Sequence, residues 1–578
     1  MNPIISLPED LRNKISAGEV VERPASVVKE LLENSLDAGA TELTIVIENG
    51  GHQLIQVRDN GHGISTDGLS KAFQRYTTSK ISNIDDLFNI QTLGFRGEAL
   101  ASIASVSEIN VSSSVDEKSG YQMSLVNGLT NDIKAAAPIG GTEITVRNLF
   151  YNTPARRKFL KSINSEFRQI VKMVRRFSLD FPDVSFILMH NNKKILNLVP
   201  EKLEDRIISI NDPTFHDQLL KVELNKGDYK ISGFVGTLNL VRKRPGQQYL
   251  FVNRRYVQNR LLNSAVYSAY ESLVKRGEYP FSLLNLTIPP DQLDVNVHPM
   301  KIEVKFIDEW RVYHIVKSAV RNSLSSILST IPSFQHNHPF YGSNKSFEPN
   351  QDQEPINFNI FPESTTVNDI QRAKDYVSSY PSHTKESSIY DGITLWQVHN
   401  KYIISQINSG LVIIDQHVAH ERVLYEEALN AFDNTPLSAQ TLLFSEELEF
   451  SPDEFIVLLE IFPYLEKLGF RMKENGQNRI LLEAIPSNMG WGNESTVIRE
   501  IIDNYITNKE NSSSFMKSLA ASYSCHAAVK AGDSLSKEEM QLLVNHLFAT
   551  KHPYYCPHGR PIIVQLSLEE LDQRFERI

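Results

Sequence analysis

The sequence predicts a multidomain α+β protein, with two α/β domains at its amino end, a flexible linker and a further α/β module at its carboxyl end. Length is the first reason: 578 residues exceed what one hydrophobic core holds, and at about 150 residues per domain they imply three or four units. The second is pattern, because stretches with apolar residues at helical spacing alternate with short period-two apolar runs. The third is a change of composition over residues 332–390, where Ser, Asn, Pro, Gln and His leave too few apolar residues to bury a core. These observations divide the chain into residues 1–211, 212–331, 332–390 and 391–578.

Within residues 22–41, Pro24 is pre-set for a first helical turn, no Gly or Pro interrupts the run to Ala38, and Gly39 is placed to end it. Val27, Val28, Leu31 and Leu32 recur at helical spacing and face a core, while Glu30, Asn34 and Asp37 fall on a neighbouring polar stripe. Taken alone, such a stripe is a solvated face. Two strands follow, ELTIVIE and HQLIQVRD, joined by a Gly-rich turn. Asp59 ends the second strand, and Gly61 and Gly63 bracket one residue. The backbone there can approach a ligand, and the carboxylate can accept from an exocyclic amine; a plain Asp-Asn-Gly turn is the other reading. Neither a Walker A loop nor a complete GxGxxG is present. Loop residues gather at 76–80 and 92–97, and the second set leads into an apolar helix, EALASIASV, whose unpaired amides favour phosphate oxygens. Gly140 and Gly141 then turn into a strand where Thr142 offers a hydroxyl.

Glu30 with Asn34, the DNGHG segment, GFRGEAL and GGTEITVRNLFYNTPARRKFL, in that order, resemble the ATP-binding domain shared by gyrase B, heat-shock chaperones and histidine kinases. Their wording is similar to the MutL family of DNA mismatch-repair proteins, and the resemblance covers the chain apart from the linker. It implies an N-terminal α/β-sandwich ATPase that uses ATP and Mg²⁺. By that resemblance Glu30 is the general base that orients the attacking water, Asn34 ligates Mg²⁺, Asp59 holds the adenine amino group and Gly63 admits the nucleotide. Thr78, Ser79, Gly94, Phe95, Arg96, Gly97 and Thr142 belong to the phosphate lid and its surroundings. In the second α/β domain the segment DVNVHPMK carries Lys301, which the resemblance sends to the γ-phosphate, coupling nucleotide state to domain arrangement. A lone lysine is otherwise usually solvated.

The net charge of −10 argues against coating nucleic acid with the whole surface, but says nothing of a local groove. Between residues 151 and 177, Arg156, Arg157, Lys158 and Lys161 lead a basic run that reads as one helical stretch. Arg242, Arg244, Arg254 and Arg255 surround the strand QQYLFVNRRYV. Phosphate contacts from such groups give sequence-independent, salt-sensitive affinity, which suits a clamp on any duplex. One cluster alone is equally well a solvated helix face; two point to DNA.

The carboxyl module opens with TLWQVHNKYIISQI and SGLVIIDQH, read as two strands separated by Asn-Ser-Gly. Asp415 and His417 end the second strand and Glu421 lies on the helix that follows, so one corner gathers the carboxylate and imidazole groups that divalent metals take. The two cysteines are too few for a disulfide framework. Cys525 precedes His526 and Cys556 lies two residues before His558, a setting for thiolate ligation; singly, each is a buried thiol. These segments resemble the nicking-endonuclease site of MutL proteins that lack a separate strand-nicking partner. The DQHA motif here has Val418 for the alanine, a change that removes no ligand. The resemblance makes Asp415 catalytic and places Asp415, His417, Glu421, Cys525, Cys556 and His558 around Mn²⁺ or Zn²⁺. Residues 440–445, QTLLFS, resemble a sliding-clamp-binding segment with Ser445 where proline is expected.

The resemblance as a whole implies a homodimer joined through a carboxyl dimerisation domain. It would act as an ATP-gated DNA clamp and matchmaker that couples mismatch recognition by a MutS-type partner to strand removal. No apolar run approaches the roughly 18 residues that span a bilayer, and the amino end is not a secretory signal, so a cytoplasmic protein with no membrane partner is expected. Two alternatives stay open: an ATP-gated adaptor whose metal ligands are structural, and a topoisomerase subunit, which would need a cleavage-tyrosine domain or a second subunit.

Overall fold

The helix expected at the amino end forms over Pro24–Asp37. It belongs to a computed structural model that describes residues 20–81, 83, 92–94, 96–116, 118–126, 128–270, 273–275, 277–294, 304–328, 394–489, 492, 494–508, 512–529 and 532–577. Gly39 N–H donates to Leu36 O and Ala40 N–H to Ser35 O, with Gly39 at φ +72°, so the last carbonyls are paired as the chain turns away. Val27, Val28, Leu31 and Leu32 are each at most 2% exposed. At about 1.5–3 kcal/mol for each fully buried side chain, counted as an upper bound, this face fastens the helix to the sheet behind it.

That sheet has nine strands among the described residues: β1 (Glu42–Glu48), β2 (Leu54–Asp59), β3 (Glu108–Ser114), β4 (Gly120–Val126), β5 (Leu129–Thr130), β6 (Lys134–Ala136), β7 (Gly141–Arg147), β8 (Ser185–His190) and β9 (Lys193–Leu198). Their order is β5-β4-β3-β7-β2-β1-β8-β9, with β6 against β4; β1 and β8 run parallel. Asp59 on β2 stands opposite Thr142 on β7, and Thr142 stands opposite Ser113 on β3, so three polar side chains form a row at one end of the sheet. The basic stretch read as one helix is two, Pro154–Phe159 and Ile163–Asp180. Leu160 is extended (φ −63°, ψ 136°), and Ser162 restarts the helix by accepting from Ser165 N–H, which is what a serine before a helical run favours.

In the second domain five strands pair in the order Leu219–Lys226, Tyr229–Gly236, Ser282–Thr287, Gln248–Val252, Arg255–Tyr256. Gln248–Val252 and Ser282–Thr287 are parallel, and helix Arg260–Tyr270 lies in the connection between them. Val222, Ile231, Leu250 and Leu284 share a core with Val316 and Val320 of helix Glu309–Leu328. Tyr249, Phe251, Phe281 and Leu283 instead enter the core of the first domain, so the two domains meet through buried apolar side chains. Lys301 and the predicted linker, 332–390, lie outside the described residues.

The carboxyl module has two sheets. Leu395–Val398, Tyr402–Ile407, Gly410–Asp415 and Ile563–Ser567 pair in that order; Ala439–Glu449, Arg479–Pro486 and Arg471–Glu474 form the other. The stretch read as its first strand is a hairpin. His399 and Asn400 take φ of 53° and 51°, and Lys401 N–H donates back to Val398 O, a reversal that asparagine tolerates. Helix Gln416–Asp433 joins the two halves: Val418, Ala419 and Val423 enter one core, and Leu424, Tyr425, Ala428 and Phe432 the other. His417 therefore stands in the first helical turn and does not end the strand. The whole is multidomain α+β, as the sequence predicts. No helix among the described residues is long and apolar enough to cross a membrane.

Candidate nucleotide and metal sites

Glu30, Asn34 and Asp37 are four and three residues apart on helix Pro24–Asp37, and all three line a cavity of about 740 Å³. Asp59 lies in its floor, 7% exposed. Its Oδ2 accepts from the Ser35 hydroxyl at 2.7 Å, and its Oδ1 accepts from Gly61 N–H at 3.0 Å and Thr142 N–H at 3.2 Å. The Thr142 and Ser113 hydroxyls are 2.9 Å apart, and Ile64 N–H donates to Ser113. A carboxylate held on both oxygens in this way is oriented before any ligand arrives.

The glycines here do more for the protein than the sequence suggests. Gly63 has φ +70°, and a Cβ on it would meet Ser114 O at 2.1 Å; one on Gly61 would meet Ala38 Cβ and O at 2.9 Å. Their lack of side chain is used by close backbone packing, in addition to any clearance for a nucleotide.

Thr78, Ser79, Gly94, Arg96 and Gly97 line the same cavity, and Phe95 lies outside the described residues. Two residues that sequence reasoning left unassigned organise this wall. Asp37 accepts from the backbone N–H of Leu93 (2.8 Å) and Gly94 (3.0 Å), drawing the loop onto the helix. The Lys80 ammonium bridges Asp37 Oδ2 at 2.5 Å and Asn34 Oδ1 at 2.9 Å. The signal for Asp37 was present, as it shares the polar stripe with Asn34; Lys80, one cation in a Thr/Ser loop, had none. Glu30 is 3.0 Å from the Lys29 ammonium, which also meets Glu33 at 2.7 Å. Burial works to lower the Lys29 pKa, but Glu30 and Glu33 outweigh it and raise the group above its ordinary value.

The basic residues divide. Arg157, Lys158 and Lys161 are exposed and Arg156 is half-buried on or beside the short helix Pro154–Phe159. Arg242 and Arg244 face carboxylates, Asp212 and Glu454 for the first and Glu454 and Asp503 for the second. Arg254 lies over the Phe181 ring, 5.0 Å from its centroid. Arg255 departs from the expected DNA contact: it is 9% exposed and donates to Thr92 O at 2.5 Å, within the electrostatic influence of the Glu33 and Asp37 carboxylates, so it braces the loop at Thr92.

At the carboxyl corner, ligand atoms of Glu421, Cys556 and His558 lie within 4.8 Å of one another. Glu421 is 4% exposed, and its Oε1 is 2.8 Å from His558 Nδ1. Cys556 Sγ accepts from the backbone N–H of His558 and Arg560, both at 3.3 Å. An oxygen, a sulfur and an imidazole nitrogen converging from distant segments form a donor set for a borderline divalent cation. Asp415, His417 and Cys525 are not part of this group. Asp415 caps helix Gln416–Asp433, accepting from His417 N–H (3.0 Å) and Val418 N–H (3.1 Å). His417 Nδ1 donates to Val529 O at 2.8 Å, which leaves the neutral ring's lone pair on Nε2. Cys525 is exposed; partial burial and the Glu421 carboxylate push its thiol up. Val418, the substituted motif position, points into the core. Beside the corner, burial together with His417 and His546 lowers the His420 pKa to about 4. In the other sheet, Leu443 and Phe444 of the QTLLFS segment are 88% and 89% exposed at an irregularity between Thr441 and Glu446.

Residues 22–140 match the family model "Histidine kinase-, DNA gyrase B-, and HSP90-like ATPase", residues 207–325 "DNA mismatch repair protein, C-terminal domain", and residues 395–535 "MutL C terminal dimerisation domain". Among curated relatives, the DNA mismatch repair protein MutL of Chloroherpeton thalassium is 38% identical and that of Chlorobium chlorochromatii 39%, each match covering 100% of both chains. Among solved structures, the Aquifex aeolicus MutL ATPase domain complexed with ADP is 27% identical, with 51% of this chain and 98% of that one covered and a TM-score of 0.36.

Proposed function

The chain belongs to the MutL family of DNA mismatch-repair proteins, with its ATPase and dimerisation domains, and on that premise we propose an ATP-gated homodimeric clamp and matchmaker whose carboxyl module nicks DNA. The observation that carries the nicking part is the convergence of Glu421, Cys556 and His558.

In the amino half, Asp59 Oδ2 accepts one protein hydrogen bond and retains a lone pair for the exocyclic amine of adenine. Asn34 Oδ1, which accepts from the Lys80 ammonium, would be the oxygen offered to Mg²⁺. Glu30 faces the same cavity with its charge balanced by Lys29, and orients water at the γ-phosphate. Thr78, Ser79, Gly94, Arg96, Gly97 and Thr142 surround the phosphates. Phe95 and Lys301 keep the roles that the resemblance gives them, in the lid and at the γ-phosphate.

In the carboxyl half, Glu421, Cys556 and His558 would hold Mn²⁺ or Zn²⁺, and the family resemblance adds Asp415, His417 and Cys525 to that site. A divalent cation there supplies charge stabilisation at the scissile phosphate and a more acidic water. Asp415 fixes the start of the helix that carries Glu421, and His417 is oriented by Val529 O. Arg156, Arg157, Lys158, Lys161, Arg242 and Arg244 would grip the duplex. The exposure of Leu443 and Phe444 supports the sliding clamp as a partner, beside a MutS-type sensor. The setting is cytoplasmic.

Purified protein with Mn²⁺ should convert supercoiled plasmid to open circles, and a chelator should stop it. No nicking with any divalent cation or partner would instead favour the adaptor, with a structural metal.

A further inference from the structure

The carboxyl module meets the amino half along the second basic cluster. Glu454, its side chain 2% exposed, is 3.6 Å from Arg244, 4.0 Å from Arg242 and 3.4 Å from Arg499. Asp453 pairs with Arg175, Asp503 with Arg244, and Glu500 with Lys243 at 3.0 Å. A reciprocal pair runs the other way: Arg499 of the module is 3.1 Å from Asp212 of the second domain. Ile456 packs against the core of the first domain. The carboxylates are held in place, because Ser451 and Glu454 form a reciprocal cap at the start of helix Pro452–Lys467.

Beside this contact is a cavity of about 430 Å³ lined by Lys172, Arg175, Arg176, Arg242, Arg244 and Arg260, in which Asp453 is the one acid among the described lining residues. Burial, together with Arg244, Arg168, Arg176 and Arg175, lowers the Lys172 pKa to about 8, the mark of a site with more cations than anions.

We infer that Asp453, Glu454, Glu500 and Asp503 are an internal substitute for DNA phosphates: they cover the Arg242–Arg244 part of the basic cleft, so the docked carboxyl module and duplex DNA exclude each other there. The inference rests on the proposed reading of Arg242 and Arg244 as DNA contacts. Removing either side of a buried ion-pair array is costly, because charges stay buried without partners. Exchanging one set of anions for another is not, since the arginines pass from carboxylate to phosphate while the released carboxylates return to water. Duplex DNA is thus the partner for which this contact is built to open.

Energy transfer between one label in each half of the full chain reads docking, and anisotropy of a labelled duplex reads affinity. Glu454→Gln combined with Asp503→Asn should undock the module and tighten DNA binding by about tenfold, the ratio if roughly a tenth of the wild type is open. Its affinity should fall more steeply with salt than the wild type's, because in the wild type salt also opens the internal pairs. Adding duplex to the wild type should undock it. Arg244→Glu should undock, and Arg244→Glu with Asp503→Arg should restore docking, which separates the contact from misfolding; unchanged ATP turnover in the acid variant is a second control. Unchanged docking and affinity in the acid variant, or duplex bound without loss of energy transfer, overturns the inference. If Arg242→Ala with Arg244→Ala undocks the module and binds DNA as tightly as the undocked acid variant, the DNA reading of the cluster falls and the inference with it, while the contact itself stands.

Discussion

At Asp37 one carboxylate joins three parts of the nucleotide cavity: the helix that carries it, the loop amides of Leu93 and Gly94, and the Lys80 ammonium. A different carboxylate of the first domain carries a pH response. Asp180, at the end of helix Ile163–Asp180, has its pKa raised to about 7 by burial, with Arg254 opposing and Asp183 adding to the shift. Folding therefore favours its protonated form. The associated stability is present below the ordinary carboxyl value of 3.8 and is lost as pH rises from there through about 7. Asp180→Asn, which cannot ionise, should flatten that decline and be more stable than wild type at pH 8, by a few kcal/mol at most. Urea midpoints at pH 5 and pH 8 test this; parallel curves for the two proteins would contradict it.

At the scale of the element, helix Pro24–Asp37 and the turn after β2 face one another, and each limits what the other can hold. Gly63→Ala separates two readings of that turn. If its glycine serves the contact with Ser114 O, the variant loses about 1–3 kcal/mol or more without any nucleotide present, as positive φ and a blocked Cβ require. If it serves nucleotide clearance alone, thermal melts of the ligand-free protein stay unchanged and only ATP affinity falls. The helix, β1, β2 and the order of the motifs were legible because their signals are local: Pro24 and Gly39 at the ends, apolar spacing between them, alternation in the strands. The break at Leu160 and the reversal at His399 and Asn400 were not, since serine and asparagine are common within longer elements too. The charge partners were the least legible part. Arg255 is spent on Thr92 O, and Arg244 on carboxylates from another domain; neither pairing leaves a periodic trace. The carboxyl site was legible as residue types, but Asp415 caps its helix while Glu421, Cys556 and His558 converge, a division that only the fold makes.

For the whole molecule, ATP should draw the amino halves of a dimer together while the carboxyl modules stay paired, closing a ring around DNA. Scattering with a nonhydrolysable ATP analogue should report compaction, and Lys301→Ala should lose part of it; a shape indifferent to the analogue would contradict the clamp. The account rests on two chemistries held in separate domains of one chain. The most direct test measures ATP hydrolysis and Mn²⁺-dependent plasmid nicking together, in Glu30→Ala and in Asp415→Asn. Glu30→Ala should bind ATP but turn it over about 10²–10⁴-fold more slowly, and still nick in Mn²⁺. Asp415→Asn should keep its helix cap, because asparagine caps as well as aspartate, and should retain ATP turnover and dimerisation; it removes the carboxylate charge that the family resemblance assigns to the metal site, and should lose nicking. Normal ATP turnover by Glu30→Ala, or wild-type nicking by Asp415→Asn, would contradict the account.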